Sequence, residues 1–407
     1  MKIIKLYSKE FEKLCNRYNN RKKRVTECVS RIIEDVKANG DDAVIKYTRK
    51  FDKVKLSARQ LRVTESEASG AFQDIDSEFI SELKNIIDNV TKFYKKQVKG
   101  KKSWRIVDGD GVVLGEKYEP IEKVGIYVPA GTAPLISTVY MTVLPAQVAG
   151  VKSIVLCTPP NQYQTVDPHI LAVANLLKVD EIYKVGGAQA IAALAFGTKT
   201  IPKVDKIVGP GNDYVTEAKR QVFGYVDIDM IAGPSEVVIL ANRSTNPLFA
   251  IKDLEAQSEH FKGLPILVTT SKPLAKTLKK EVANGYIILA KNLDEACDIV
   301  NRLAPEHLQI MVKNPQKWLK KIHNAGAIFL GQYSPTAIGD YVAGPSHVLP
   351  TSGTARFFSG LGVEDFVKSS HIISYSKKAL EKAKKSIEKI SKLEGLNKHM
   401  ESIKARF

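Results

Sequence analysis

The chain has 407 residues, 44% hydrophobic and 26% charged, a globular composition that excludes a disordered, collagen-like or mucin-like chain and is long enough for two or three domains. Its formal charge of +17 invites a nucleic-acid reading, but the surplus is peripheral: residues 1–60 carry 17 Lys/Arg against 8 Asp/Glu, residues 371–407 carry 10 against 4, and residues 121–260 carry 11 against 13. With 48 Lys to 13 Arg this is a solvated surface rather than an array of guanidinium forks, so no nucleic acid is expected as a partner.

No apolar run approaches the ~18 residues of a membrane span, so no membrane partner is expected. The start, MKIIKLYSKEFEK, places Lys2, Lys5 and Lys9 where a secretory signal needs an apolar core. The four cysteines (Cys15, Cys28, Cys157, Cys297) are far apart. That excludes a disulfide framework and a thiolate zinc site, and fits a reducing, cytoplasmic setting.

In chain order, residues 8–56 predict amphipathic helices with a basic surface, and Thr64 with Glu67 is a capping-box signal. The stripe Phe79, Leu83, Ile86, Ile87, Val90, Phe93, Tyr94 predicts one long helix over 77–95 with a single buried face. From 124 onward short β-branched runs appear at 124–128, 153–157, 182–185 and 206–208, each followed by Gly or Pro and a helical segment. A second series runs through 236–240, 265–269, 286–290, 308–311 and 327–330. Strands at such spacing with helices between them are βαβ units, and two series imply two doubly wound parallel sheets. Residues 365–407 return to Lys-rich helical sequence, broken at Glu394-Gly395-Leu396-Asn397, and read as a tail that packs on another surface.

In open parallel sheets ligands sit at the carboxyl ends of strands, so the strand-to-helix loops come first. Three are unusual: Tyr127-Val128-Pro129-Ala130-Gly131, Gly186-Gly187-Ala188-Gln189 and Gly209-Pro210-Gly211-Asn212. Any one could be a tight turn; three on one sheet favour a nucleotide or cofactor cleft, although no G-x-G-x-x-G fingerprint is present. Among the seven histidines, Gln257 and His260 end a predicted helix on one face at i, i+3, a spacing that suits two ligands of one metal. Pro305-Glu306-His307 precedes a strand and pairs two proton-transfer groups. Asp340 and His347 lie in a Gly/Pro-rich stretch, and Glu394 and His399 in the tail. Spacing alone leaves open whether these groups converge.

At these residues the chain resembles the histidinol dehydrogenase family, over roughly residues 20–400. The likeness rests on eight blocks in the family's order: VGIYVPAGTAPL, VGGAQAIAALAFGT, VGPGNDYV, AGPSEVVI, QSEH, LAPEHLQI, SPTAIGDYVAGPSHVLPT and EGLNKH. The resemblance implies two incomplete Rossmann-like doubly wound domains with helical terminal segments, the aldehyde-dehydrogenase-like α/β class. On it, residues 1–20 form a helical segment, 21–123 with 236–364 a discontinuous first domain, 124–235 the NAD-side domain, and 365–407 a helical tail docked on a partner subunit.

Position by position, Gln257, His260, Asp340 and His399 match the family's zinc ligands, and Tyr127, Gln189 and Asn212 its NAD contacts. Ser235, His347 and Glu394 match substrate-binding positions, which also include His307 and the four metal ligands. Glu306 and His307 match the catalytic proton acceptors. The implied activity is the zinc- and NAD-dependent oxidation of L-histidinol through L-histidinal to L-histidine, with one Zn²⁺ per subunit of a homodimer whose tails complete each other's sites. The alternative is another zinc/NAD alcohol–aldehyde oxidoreductase on the same scaffold. The chain departs from the family's usual pattern at Ala130, where Gly is common, at Ser346, where Asn is frequent, and in lacking a cysteine just before Tyr127.

Overall fold

The computed structural model describes residues 1–17, 23–131, 133–179, 181–260 and 262–407. In chain order its strands are β1 (Lys2–Ile4), β2 (Trp104–Val107), β3 (Val113–Pro120), β4 (Lys123–Tyr127), β5 (Ser153–Thr158), β6 (Glu181–Lys184), β7 (Lys206–Val208), β8 (Asp227–Ile228), β9 (Glu236–Ala241), β10 (Leu264–Thr269), β11 (Tyr286–Leu289), β12 (His307–Met311), β13 (Ala327–Leu330) and β14 (Val367–Ser374). They form a five-stranded sheet ordered β6-β5-β4-β7-β8, a six-stranded sheet ordered β1-β11-β10-β9-β12-β13, and a three-stranded sheet ordered β14-β3-β2. The pairings within the two larger sheets are parallel.

The strands of both series lie where the apolar runs place them, because a parallel strand covered on both faces is apolar at consecutive positions rather than alternating. All six residues of β9 are buried, including Glu236. The covering helices Ile136–Ala149 and Gly187–Phe196 are apolar nearly all round and bury most of their length. The long helix predicted at 77–95 spans Ser77–Val98 and buries Leu83, Val90 and Tyr94. Thr64 and Glu67 form the predicted capping box.

Three expectations need correction. The opening of the segment 1–20 is a strand, not a helix: β1 adds a parallel edge to β11, and the helix Lys9–Cys15 follows it; residues 18–20 lie outside the described residues. Residues 23–61 do not pack with the six-stranded sheet. The helices Lys23–Asn39 and Asp41–Phe51 bury Val29, Ile32, Val36 and Val44 in one core with Ile191 and Leu194 of the five-stranded unit. Backbone bonds from Val63 N to Ile182 O (2.8 Å) and from Lys184 N to Leu61 O (2.7 Å) lace this segment to β6. Finally, the tail is not helical throughout. Residues 367–374 are β14, antiparallel to β3, before the helices Lys377–Leu393 and Asn397–Lys404. No half-buried alternation marks β2 or β14, since β2 is exposed along its whole length and β14 over most of it.

Candidate active site

In the five-stranded sheet the candidate residues Tyr127, Gln189 and Asn212 lie at or after the carboxyl ends of strands; in the six-stranded sheet Ser235, Glu306 and His307 lie at or before the amino ends.

Ser235 stands immediately before β9 and Glu306 immediately before β12, and His307 opens β12 opposite Val237. The buried Glu306 carboxylate accepts hydrogen bonds at Oε2 from Ser235 Oγ (2.7 Å) and from the Glu236 N–H (2.8 Å). Gln257 Nε2 donates to Ser235 Oγ at 3.0 Å, so Gln257, Ser235 and Glu306 form one directed chain. His307 Nδ1 lies 3.1 Å from the Glu236 carbonyl, which can only accept. Nδ1 therefore carries a proton, and Nε2 is the lone-pair atom of the neutral ring. Nε2 is buried without a hydrogen-bond partner, 3.5 Å from Asp340 Oδ1. Nδ1 is 3.4 Å from Glu306 Oε2, so the two proton-transfer groups adjoin.

Electrostatics sharpen this arrangement. Burial opposes a charged His307 ring, but the carboxylates of Glu306 and Asp340 outweigh it and raise the imidazole to about 10. Burial alone would raise Asp340 as well, yet His307, His347 and His260 hold its carboxyl below the ordinary value. His347, 3.5 Å from Thr138 Oγ1, is pushed down to about 4 by burial and is neutral at pH 7. His307, Asp340, Ser346 and His347 line one cleft of about 700 Å³ with Phe329 and Glu364.

Gln257 lies in the last turn of its helix and His260 caps it. The helix Pro247–Glu259 stops at His260, whose ψ of 140° turns the following chain away; the His260 side chain is exposed and Gln257 is buried. Gly263 makes that turn possible: a Cβ there would lie 2.0 Å from the Gln257 carbonyl oxygen.

On the five-stranded side, Tyr127 closes β4 and its hydroxyl accepts from the Gly187 N–H at 3.1 Å, joining the first and third loops. Gln189 is fully buried with neither amide atom hydrogen-bonded, so it holds donor and acceptor capacity in reserve at that edge. Asn212 caps the helix Asp213–Val222, accepting from Tyr214 N (3.0 Å) and Val215 N (3.1 Å). The two edges meet where Lys262, just after His260, reaches Asp213 Oδ2 at 3.4 Å.

Glu394 and His399 are exposed on the tail. Among the described residues no hydrogen bond or ion pair links either to Gln257, His260 or Asp340, and no group of three or more His, Cys, Asp or Glu side chains could hold a metal ion. One chain thus gathers Ser235, Gln257, Glu306, His307, Asp340 and His347, with His260 beside them, and leaves the tail residues apart.

Residues that sequence reasoning passed over stand behind this edge. Arg17 Nε donates to Glu236 Oε2 at 2.6 Å, and its Nη2 pairs with Oε1, which also faces the Glu306 N–H at 3.3 Å. The available signal was a carboxylate opening a run of buried apolar residues, EVVIL, since a buried charge is nearly always paired.

A parallel α/β scaffold with a glycine-loop edge set against a carboxylate–imidazole edge defines a dehydrogenase-type enzyme architecture. Residues 15–407 match the family model described as Histidinol dehydrogenase. The chain is 49% identical over 409 aligned positions to the histidinol dehydrogenase of Listeria monocytogenes, covering 95% of this chain and 94% of that one. It is 48% identical to that of Clostridium acetobutylicum, covering 98% and 96%. A crystal structure of histidinol dehydrogenase from Elizabethkingia anophelis superposes with a TM-score of 0.92 at 37% identity, covering 100% of this chain and 98% of that one. The chain belongs to the histidinol dehydrogenase family, and with it to the oxidoreductases of histidine biosynthesis, a zinc- and NAD-using family.

Proposed function

We propose that the amino edge of the six-stranded sheet oxidises L-histidinol through L-histidinal to L-histidine while the carboxyl edge of the five-stranded sheet holds NAD. The observation that carries this is the adjacency of Glu306 and His307, each held by a separate bond to residue 236, with the free His307 Nε2 turned toward Asp340.

The Glu306 and Asp340 carboxylates keep a proton on His307, so the ring acts as a base only after Asp340 is engaged as a metal ligand and Nε2 gives that proton up. Nε2 then takes the alcohol proton in the first oxidation. Glu306 takes a proton from the water that adds to the aldehyde carbon, so that the hydrated aldehyde can lose its second hydride. Ser235 and the Glu236 N–H hold the Glu306 carboxylate in one orientation, and neutral His347 offers its imidazole to the substrate. Tyr127, Gln189 and Asn212 would hold NAD, two molecules of which, bound one after the other, would supply one hydride acceptor for each oxidation.

Gln257, His260, Asp340 and His399 would hold Zn²⁺, which supplies Lewis acidity without redox change. An N/O donor set with a carboxylate already favoured in its charged form suits that ion. Because the described chain keeps His399 and Glu394 away from the other three ligands, each site takes them from the tail of a second copy. The exposed Ile390 (54%), Leu393 (78%) and Leu396 (42%) on that tail give it an apolar face to dock. The expected cytoplasmic location agrees with four free cysteines; among the described residues no helix is long and apolar enough to cross a membrane.

Histidinol and NAD supplied together should yield two NADH per histidine formed. Stoichiometric release of histidinal with one NADH would overturn the two-step reading.

A further inference from the structure

Lys219 and Asp229 are fully enclosed, their side chains 3% and 0% exposed, and they pair directly. Between them they hold both backbone groups of one glycine. The Gly209 N–H donates to Asp229 Oδ2 at 2.8 Å, and the Gly209 carbonyl accepts from Lys219 Nζ at 2.9 Å. Asp229 Oδ1 also accepts from the Met230 N–H at 2.6 Å, so the carboxylate is anchored from its own strand end.

Gly209 opens the loop Gly209-Pro210-Gly211-Asn212 and stands at φ +119°, with a Cβ position only 2.2 Å from the Tyr127 carbonyl oxygen. No side chain fits there, and the loop is pressed onto β4. Tyr127 in turn receives the Gly187 N–H. One buried charge pair therefore keys the fourth loop to the first, and through the first to the third.

A buried ion pair is a weak device for stability, because desolvation offsets most of the attraction and an apolar pair often serves as well. What an apolar pair cannot do is satisfy a backbone N–H and C=O at the same time. The geometry points to Lys219 and Asp229 as positioning residues for the dinucleotide: they hold the Gly209–Asn212 loop in its binding shape before NAD arrives, so that loop ordering is not subtracted from affinity. This rests on the reading of that edge as the NAD side.

The test compares Lys219→Met and Asp229→Asn with the unmodified enzyme in NAD titrations, histidinol kinetics and thermal melts. The expected result is an NAD Kd and KM raised roughly 10- to 100-fold, the scale of a misplaced positioning group. The histidinol KM should stay close to that of the unmodified enzyme, and kcat at saturating NAD should change far less. Unchanged NAD affinity in a folded variant, or equal losses for NAD and histidinol, would overturn the assignment.

Hydrogen exchange on the unmodified enzyme decides the matter even where the variants do not fold. The Gly209 amide should be protected without NAD; rapid exchange that slows only on NAD addition would refute a pre-formed loop. Failure of the underlying NAD reading looks different, since Gln189→Ala at the same edge would then also leave NAD affinity unchanged.

Discussion

The five-stranded and six-stranded sheets share one architecture yet carry their candidate site residues at opposite edges, and the helix directions give each edge a different chemistry. In βαβ units the helices run back against the strands, so helices begin at the carboxyl edge and end at the amino edge. At the carboxyl edge of the five-stranded sheet, the helices Gly187–Phe196 and Asp213–Val222 present the positive end of the helix dipole, which suits phosphates. At the amino edge of the six-stranded sheet, the helices Pro247–Glu259 and Leu293–Leu303 terminate, presenting carbonyls that favour a cation beside Gln257 and His260. Glycine-rich backbone serves the first edge, and side chains serve the second. Each is backed by a buried ion pair, Lys219–Asp229 in one half and Arg17–Glu236 in the other.

The division between edges can be broken in order of expected effect. Removing zinc by chelation should abolish turnover, with added Zn²⁺ restoring it, while NAD affinity stays intact. Full turnover by enzyme shown metal-free in elemental analysis would dismiss the cation edge. Next comes Glu306→Gln, which should lose ~10²–10⁴ of the aldehyde-to-acid rate, the usual cost of a missing general base. It should keep more of the alcohol step, and an undiminished rate on supplied histidinal would sink the assignment.

Arg17→Met strands the buried Glu236 carboxylate beside Glu306, and removing one partner of such a pair costs about 3–5 kcal/mol. Denaturant melts should show that loss, and adding Glu236→Leu should recover much of it. Activity should not return with the stability, because the Glu306 N–H still lacks its acceptor. Joint recovery of both would make the pair purely structural.

The smallest expected signal tests whether the amino edge is shared between chains. Inactive His260→Asn and His399→Asn chains, mixed and allowed to exchange subunits, should regain about a quarter of normal activity in a two-fold dimer paired at random. Verified exchange without recovery would place the tail in its own chain's site.

How much was legible follows from what each signal depends on. Strands covered on both faces announce themselves as continuous apolar runs, which is why both series were readable from 124 onward. The amphipathic stripe of 77–95 and the Thr64–Glu67 box depend on neighbours within a turn or two, and they too were readable. β2 and β14 were not, because strands exposed over most of their length carry no alternation. Nor was the turn that ends the helix at His260, since Gly263 acts there through its close approach to the Gln257 carbonyl.

By itself the sequence determined the strands of both parallel sheets other than the edge strands β1 and β8, the chemistry available in the Glu306–His307 pair, and, through its ordered blocks, the family. Those are properties of local spacing and residue type. Only the tertiary structure decided that residues 23–61 pack with the five-stranded sheet, that Glu306 and His307 stand together at an amino edge, and that Arg17 and Glu236, 219 positions apart, share a buried bond. Such pairings are set by which helix ends the crossovers bring together and by the need to match every buried charge. Neither condition leaves a mark at short range along the chain.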